Sequence, residues 1–326
     1  MWQAVQVLAH ELKRLPFPID GVVVKLNSVV DRRQLGATEL APNWAMAFKF
    51  QPEQVVTRVS GITIQVGRTG LLTPVAELEP VSFGGSTIAR ASLSNRDEIY
   101  RRDIRIGDFV MLEKAGEIIP MIAGVVLERR PASAMRYVFP AKCPSCRTPV
   151  VGEAGEVAVR CPNARCAARV QRRIEYFASK SGVRISGLGP ATIEALVAQG
   201  VVKSVADLYR LKQADLLAID GVGQKTADKL LAEIDRSRRA ELWRFINGLS
   251  IPLVGSNTAK ALAARFGDLP ALAKSSRPEL LANSGPGVAM IGASTAESVL
   301  AFFAQTENRD LVTALLDRGV HPVATR

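Results

Sequence analysis

Four cysteines constrain what this chain can fold into more than any other feature of its sequence. They form two close pairs, Cys143 with Cys146 and Cys161 with Cys166, separated by fourteen residues. Two such pairs on short loops can bring four thiolates to the corners of one tetrahedron, the arrangement that structural Zn2+ requires. Two disulfides or four unrelated core cysteines are the alternatives, but no cysteine is left over and nothing indicates export. A four-cysteine site has no open position, so we expect this zinc to stabilise the fold and not to catalyse.

The charge balance indicates a polyanionic partner. The 326 residues include 42 Lys and Arg against 31 Asp and Glu, which gives a net charge of +11. Such an excess favours nucleic acid first and a membrane surface second, with a surface charged only for solubility as the alternative. The sequence has no run of about 18 apolar residues and no signal-peptide core, so we expect a reducing, cytoplasmic setting.

Residues 1–52 predict a helix and two strands, which bury too little apolar surface to be stable alone. The strands cover residues 19–26 and 44–50, and each carries a lysine, Lys25 or Lys49, at the end of a face of small side chains. From spacing alone, two solvent-exposed lysines are the favoured interpretation. The alternative is a phosphate clamp, because an ammonium group needs no particular plane to contact oxygen. We interpret this segment as the end of a larger domain.

Four further regions follow along the chain. Residues 53–138 contain short β-branched runs broken by glycine turns and predict a small all-β barrel. Residues 139–172 hold the cysteines and predict a zinc module. Residues 173–308 are helical and repetitive, and residues 309–326 are predicted to be a C-terminal tail.

The helical region repeats one pattern four times. In each copy a glycine is followed, four residues later, by an amphipathic run with apolar or small residues at i, i+3, i+4 and i+7. Successive glycines are 34, 32 and 37 residues apart. In order, they are Gly189, Gly223, Gly255 and Gly292.

The first two copies carry a second glycine, Gly187 or Gly221, two positions earlier. Glycine permits positive φ, so backbone N–H groups can converge there, and the following helix N-terminus adds its own N–H groups. The pattern predicts a phosphate cradle that ignores base identity, with helical packing alone as the alternative. Leu253 and Met290 replace that glycine in the third and fourth copies, and the fourth has an insertion at 284–287. The prediction is therefore stronger for the first two.

Together these motifs resemble the bacterial NAD+-dependent DNA ligases, in the same order and over essentially the whole chain. Residues 20–25 resemble the fourth nucleotidyltransferase motif of that family, residues 41–50 the fifth, and residues 65–75 the opening of its OB barrel. The resemblance implies a multidomain α+β protein. Its parts are a C-terminal remnant of the adenylation (nucleotidyltransferase) domain at 1–52, an OB-fold at 53–138, a small four-cysteine zinc finger at 139–172 and an all-α helix-hairpin-helix domain at 173–308.

In that family NAD+ adenylates an enzyme lysine, AMP passes to a DNA 5′-phosphate, and a 3′-hydroxyl then displaces AMP to seal the nick. By resemblance, Lys25 and Lys49 contact the AMP phosphate and Arg68 contacts the DNA backbone beside the nick. The resemblance also implies one structural Zn2+, NAD+ and Mg2+ for the complete enzyme, and nicked double-stranded DNA as partner. The DNA-binding hairpin positions that it implies are Gly187, Gly189, Gly221, Gly223 and Gly255.

The chain departs from the family at the nucleophile, which lies in a Lys-x-Asp-Gly motif. The two Asp-Gly pairs, at 20–21 and 220–221, are preceded by Pro18 and Ala218 instead of lysine. The N-terminal NAD-binding domain and the BRCT domain of the family are also missing from this sequence. We therefore expect a truncated or split ligase that is not self-adenylating, with a separately encoded N-terminal fragment as a candidate partner. The alternative is a non-catalytic DNA-binding protein, either a relic ligase clamp or an unrelated helix-hairpin-helix repair factor.

Three smaller departures affect the nucleotide and barrel motifs. Leu40 and Asn43 stand where the family's fifth motif carries basic residues, and Ser94 stands where its barrel usually has a histidine. The zinc and hairpin parts follow the family pattern more closely than the nucleotide site does.

Overall fold

The computed structural model divides into two compact units, one made of residues 1–64 and 73–139 and the other of residues 65–72 and 140–326. The structure describes residues 2–12, 19, 21–38, 41–50, 54–83, 85–115, 119–152, 157–282 and 290–324. Among these, no helix combines the length and apolar character needed to cross a bilayer. Several positions singled out above lie outside the described residues, namely Pro18, Asp20, Leu40 and residues 284–287.

The first unit begins with α1 (Trp2–Leu12), β1 (Gly21–Lys25), α2 (Val29–Leu35) and β2 (Ala45–Lys49). The two strands pair antiparallel, which confirms both predicted strands and shortens each of them. The polar loop predicted between them contains α2. Ser28 starts this helix because its side chain accepts a hydrogen bond from a backbone N–H of the first turn.

A closed barrel forms the rest of the first unit. Its elements are β3 (Gln54–Val66), β4 (Leu72–Phe83), β5 (Ser86–Ser92), α3 (Arg96–Arg101), β6 (Arg105–Ile106), β7 (Phe109–Ala115), β8 (Ile119–Val125) and β9 (Met135–Arg136). The barrel order is β3-β4-β5-β8-β7, and β7 pairs back onto β3 to close it. The β5–β8 pair is parallel and the β7–β8 pair is antiparallel. This five-stranded, Greek-key order confirms the predicted OB-fold.

Helix α3 corrects the expectation that the barrel region is all-β. Asn95 caps the helix, since its side chain accepts a hydrogen bond of 2.9 Å from Glu98 N. Ile99 points from the helix into the barrel core beside Val110 and Leu112, and only 1% of its surface is exposed. The helix therefore contributes an apolar side chain to the barrel core in addition to those of the strands.

One buried ion pair ties the turns of the barrel together. Asp108 is fully buried, and Arg130 donates to both of its carboxylate oxygens, at 2.8 and 2.9 Å. Arg130 also donates to the Asp103 carboxylate at 2.7 Å. Hydrogen bonds from Arg105 and Arg130 lower the pKa of Asp103 to about 2. The pair joins the segment after β8 to the turns on either side of β6.

The second unit consists of the zinc module and a helical array with one large core. Its elements are β10 (Val151–Gly152), β11 (Val159–Arg160), α4 (Ala167–Ala178), α5 (Pro190–Ala198), α6 (Gln213–Leu217), α7 (Gln224–Ser237), α8 (Leu242–Gly248), α9 (Ser256–Phe266), α10 (Leu269–Ala273), α11 (Arg277–Leu281), α12 (Ala293–Ala304) and α13 (Thr306–Asp317). Phe177 of α4 and Phe245 of α8 lie at the centre of the core with ring centroids 5.8 Å apart.

Two of the predicted domain limits fall inside helices. The limit after residue 172 lies within α4, and the limit after residue 308 lies within α13. Val312 and Leu315 of α13 are buried in the helical core. Residues 309–317 thus continue the helical array, and the described chain after them is short.

We expect Arg130→Met to destabilise the barrel by about 3–5 kcal/mol, because Asp108 would stay buried without its partner. The folded pKa of Asp103 lies below its ordinary value of 3.8. The stabilisation it contributes is therefore present above about pH 4 and is lost as the pH falls towards 2. Urea unfolding followed by circular dichroism at several pH values measures both effects.

Arg101→Met is the matched control, since the Arg101–Glu98 pair is solvent-exposed. It should cost much less stability than Arg130→Met, because solvent screens an exposed pair. Equal losses in the two variants would contradict the structural role assigned to the Asp108–Arg130 pair.

Candidate metal centre and nucleic-acid interface

Two loops of the second unit present the four cysteines to one point. In the first loop, Cys143 O accepts a hydrogen bond from Arg147 N and Cys143 N donates to Thr148 O, which folds the chain back around Cys146. In the second, Cys166 is the residue from which α4 begins. A thiolate at a helix N-terminus is stabilised by the positive end of the helix dipole.

The sulfur positions fit a tetrahedral zinc ion. All four Sγ atoms lie within 4.8 Å of one another. The Cys143–Cys166 separation is 3.9 Å and the Cys146–Cys161 separation is 3.5 Å. Zn–S bonds of about 2.3 Å in a tetrahedron set S–S edges of about 3.8 Å. All four thiols are free and too far apart for disulfides, so the disulfide alternative is wrong.

The environment of the cluster favours a bound cation over free thiolates. Burial raises the pKa of the Cys161 thiol to about 12 and also raises that of Cys166, whereas at Cys146 burial is outweighed by hydrogen bonds, first those with Thr148, which lower its pKa to about 6. Several thiolates at these separations would repel one another strongly in a buried site. Zn2+ removes that penalty because it binds the deprotonated sulfurs directly.

The register of the first sheet places the two predicted lysines on one face. Gly21 is paired with Lys49, and Lys25 is paired with Ala45. Directly paired residues of an antiparallel sheet share a face, so Lys25 and Lys49 lie on the same face at opposite ends of the sheet, with the Val23–Ala47 pair between them. The two ends are four residues apart along the strand, or about 13 Å. Two lysine side chains that extend towards each other can span this distance.

The position of Gly21 on this face has no room for a side chain. A Cβ atom there would lie 2.3 Å from Phe48 O and 3.2 Å from Lys49 Cδ. The missing side chain therefore lets the Lys49 stem lie across β1. The face remains open, since Val23 is well exposed.

Arg68 lies in the loop between β3 and β4 that belongs to the second unit. Its guanidinium stacks over the Tyr176 ring of α4, 3.7 Å from the ring centroid. Gly70 O accepts a hydrogen bond of 2.8 Å from Cys161 N, and Arg160 donates to Thr69 Oγ1 at 3.3 Å. The zinc module thus fixes the loop that presents Arg68.

The hairpin turns adopt the backbone conformation that the glycines predict. Gly187 and Gly221 have φ of +85° and +81°, and Leu253, at the same place in the third copy, has φ of +62°. The third copy keeps the turn although the residue is not glycine. In the second and third turns the next residue, Val222 or Val254, donates its N–H to the carbonyl three residues earlier.

The second glycine of each turn is the N-cap of a helix and has no conformational need to be glycine. Gly189, Gly223, Gly255 and Gly292 all have negative φ and extended ψ. A Cβ added at any of the four would meet no atom within 4 Å. In none of the four helices does a side chain cap the first turn.

Three other described helices contrast with these four, although α4, α8 and α13 also begin without a side-chain cap. α2, α3 and α10 begin at Ser28, Asn95 and Asp268, whose side chains accept hydrogen bonds from the first turn. The hairpin helices therefore leave N–H donors and the positive dipole end open to a ligand. Sequence reasoning identified the glycines but missed that a Cβ atom would fit at each of the four N-cap positions, because that depends on the surrounding structure.

The structure groups the predicted residues into separate sites. The cysteines form one cluster, Lys25 and Lys49 share a face of the first unit, and the turn glycines start four helices of the second unit. Asn43, a departure from the family, donates to Leu35 O at 2.8 Å and so has a local structural role. Ser94 has φ of +61° in the turn before α3.

These elements define a modular protein that combines an OB barrel, a four-cysteine zinc finger and a helix-hairpin-helix array. Family models of NAD-dependent DNA ligases match as the adenylation domain at residues 1–53, the OB-fold domain at 56–134 and the C4 zinc finger domain at 142–168. A helix-hairpin-helix tandem model matches residues 183–236, and a helix-hairpin-helix motif model matches residues 244–312.

Similar proteins carry the same description. A protein named DNA ligase 1 from Opitutus terrae is 50% identical over 99% of this chain and 48% of its own length. Proteins named DNA ligase from Pelotomaculum thermopropionicum and Levilactobacillus brevis are 43% and 45% identical, over 96% and 98% of this chain and 45% and 47% of their own lengths. The chain belongs to the NAD-dependent DNA ligase family, and it spans about half the length of these relatives.

We expect the purified chain to carry one Zn2+, and Cys146→Ser to lose it and to loosen the module, because zinc of this kind contributes on the order of 10 kcal/mol to local folding. Plasma mass spectrometry of the metal and proteolysis of the module measure the two effects. Ser145→Ala, one residue away and not a ligand, should keep the metal. Stoichiometric zinc in Cys146→Ser would show that this sulfur is not a ligand.

Proposed function

We propose that the chain forms the DNA-holding part of a ligase that seals nicks in duplex DNA with NAD+. The hairpins bind backbone phosphates, the zinc finger fixes the elements around it, and the lysine face of the first unit contacts the AMP phosphate. These roles are supported by the similarity to NAD-dependent DNA ligases, by the net charge of +11 and by the uncapped helix N-termini. Its place of action is the cytoplasm, where reducing conditions keep the thiols available for zinc.

The open N-caps carry the DNA proposal. Glycine occupies all four N-cap positions, although each has space for the Cβ atom of a capping residue. The first turn of each helix therefore has no side-chain cap. A phosphate oxygen can then accept the free N–H groups and interact with the helix dipole, as anions at helix N-termini do. Such contacts involve only the sugar-phosphate backbone, so the binding has no sequence preference.

The two lysines suit a role in charge stabilisation. NAD+, when bound, supplies the AMP group that the ligation reaction transfers. Lys25 and Lys49 would place ammonium groups on either side of its phosphate and stabilise the negative charge that develops during transfer. Gly21 assists by letting the Lys49 stem cross β1. Mg2+, which the family implies for the complete enzyme, would act on the same phosphate.

Attachment of AMP is the one step for which these 326 residues hold no nucleophile. No Lys-x-Asp-Gly motif occurs in the sequence, and a lysine that polarises phosphate does not readily replace a positioned nucleophile. We propose that the nucleophile comes from sequence outside these residues, on the same polypeptide or on a separate N-terminal fragment. By itself the chain then acts as a DNA-binding module.

We expect no covalent AMP adduct when the chain alone is incubated with radiolabelled NAD+ or ATP and run on a denaturing gel. The family's adenylated lysine has no counterpart in the sequence, so no stable phosphoramidate should form. A labelled band that survives denaturation and disappears in Lys25→Ala or Lys49→Ala would overturn this assignment.

We expect Gly223→Asp to stabilise the chain by a few tenths of a kcal/mol to about 1 kcal/mol and yet to weaken DNA binding. The new carboxylate would cap α7 and occupy the place proposed for a DNA phosphate. Gly223→Asn caps equally well without a charge and should weaken binding less. Thermal unfolding and fluorescence anisotropy with nicked duplex DNA measure the two effects.

Ala304→Asp is the control for charge, because Ala304 is exposed at the far end of α12. It adds the same negative charge without a cap and should bind DNA nearly as the parent does. If Gly223→Asp and Ala304→Asp bind equally well, the glycine turns are packing elements and the cradle proposal fails.

A further inference from the structure

A cavity of about 160 Å3 lies within the second unit, apart from the hairpin N-caps. It is bordered by the zinc module, α4, the chain before the third hairpin and α12. Three arginines line it, Arg68, Arg169 and Arg173. Its polar lining continues with three hydroxyl groups, those of Thr69, Ser250 and Ser298.

The positions of the arginines follow from the zinc module. Arg169 and Arg173 are one turn apart on α4, the helix that begins at Cys166. Arg68 joins them because its loop is bonded to Cys161 and because its guanidinium stacks on Tyr176. Gly70 makes the approach possible, since a Cβ there would lie 2.4 Å from Cys161 O and 3.2 Å from Arg169 Nε.

The charge of this cluster is poorly compensated. No carboxylate lines the cavity, and the described acidic residue nearest in the α4 sequence, Glu175, pairs with Arg172 at 2.7 Å. Arg169 Nη1 donates to Cys161 O, but its buried Nε has no partner among the described residues. The thiolates of the zinc site offset Arg169 in part. Burial, and then the charge of Arg169, lower the pKa of Arg173.

Arg169 and Arg173 are half-buried, Arg68 is exposed, and the cavity has no carboxylate to balance the three charges. Such a cluster of cations, with a buried Arg169 Nε that has no partner among the described residues, indicates an anionic ligand. The guanidinium fork matches the oxygens of phosphate, and hydroxyl groups complete such sites. We infer that the Arg68–Arg169–Arg173 cavity binds a phosphate group. That phosphate is either a phosphodiester of bound duplex DNA, in which case the inference rests on the proposed function, or free phosphate.

Two pairs of variants of the zinc-loaded chain test the inference. Arg173→Gln removes a cavity arginine, and Arg172→Gln removes the same charge from the neighbouring, ion-paired position. Ala301→Glu puts a carboxylate into the cavity from the exposed face of α12, where it would pair with the arginines and keep the fold. Ala304→Glu adds the same charge outside the cavity.

The first arm measures binding to nicked duplex DNA across a salt series. Arg173→Gln and Ala301→Glu should raise Kd about tenfold, as loss of a charge-assisted contact does, and should lower the salt slope by about one. The controls should change Kd less than about twofold. The second arm measures the melting temperature in inorganic phosphate against chloride at equal ionic strength. Phosphate should stabilise the parent and both controls but neither cavity variant.

A selective loss in the DNA arm assigns the cavity to a backbone phosphate, and a selective loss only in the phosphate arm assigns it to free phosphate. If the cavity variants match their controls in both arms, the inference is wrong. If the parent itself fails to bind DNA, the proposed function fails, while the phosphate arm still decides whether the cavity binds phosphate.

Discussion

The bonds between four thiolates and one zinc ion organise much of the second unit. Cys166 starts α4, whose Phe177 lies at the centre of the helical core. Cys161 binds the loop that carries Arg68 through its backbone N–H. Metal binding therefore does more than close two loops, because it sets where the first helix of the array begins and where a distant loop is held. A structural metal can do this since its binding free energy is also folding free energy.

The proposed lysine and glycine sites would bind phosphate by different physical means. Lys25 and Lys49 would bind phosphate with mobile full charges on an open sheet face. The hairpins would bind it with fixed backbone dipoles that need no reorganisation. The proposed function needs binding along a continuous DNA backbone and also stabilisation of charge on one phosphate. A full positive charge suits the second task, because it stabilises a developing negative charge more than a partial dipole charge does.

The parts of the fold that sequence could predict are those with a local signal. The cysteine spacing, the two strands with their lysines and the repeated glycines each depend on residues close together in the chain, and the structure contains all three. Helix α3 was missed because its single buried residue, Ile99, gives no periodicity, and α2 was missed because its capping residue Ser28 also suits a loop. Strand β5 lies in a stretch whose short apolar runs are interrupted by polar residues. The arginine cavity was beyond prediction, since it joins a barrel loop to α4 across about a hundred residues.

Leu253 shows how such a turn persists without its glycine. A leucine in the left-handed region costs about 1 kcal/mol, and the burial of Ile251 and Val254 on either side holds the backbone in place. The residue between the two turn positions is buried in the first, third and fourth copies, as Leu188, Val254 and Ile291. The constant element of the repeat is therefore this apolar anchor and not the glycine before it. Divergent copies in other chains are better recognised by an apolar residue just before an N-cap glycine than by a pair of glycines.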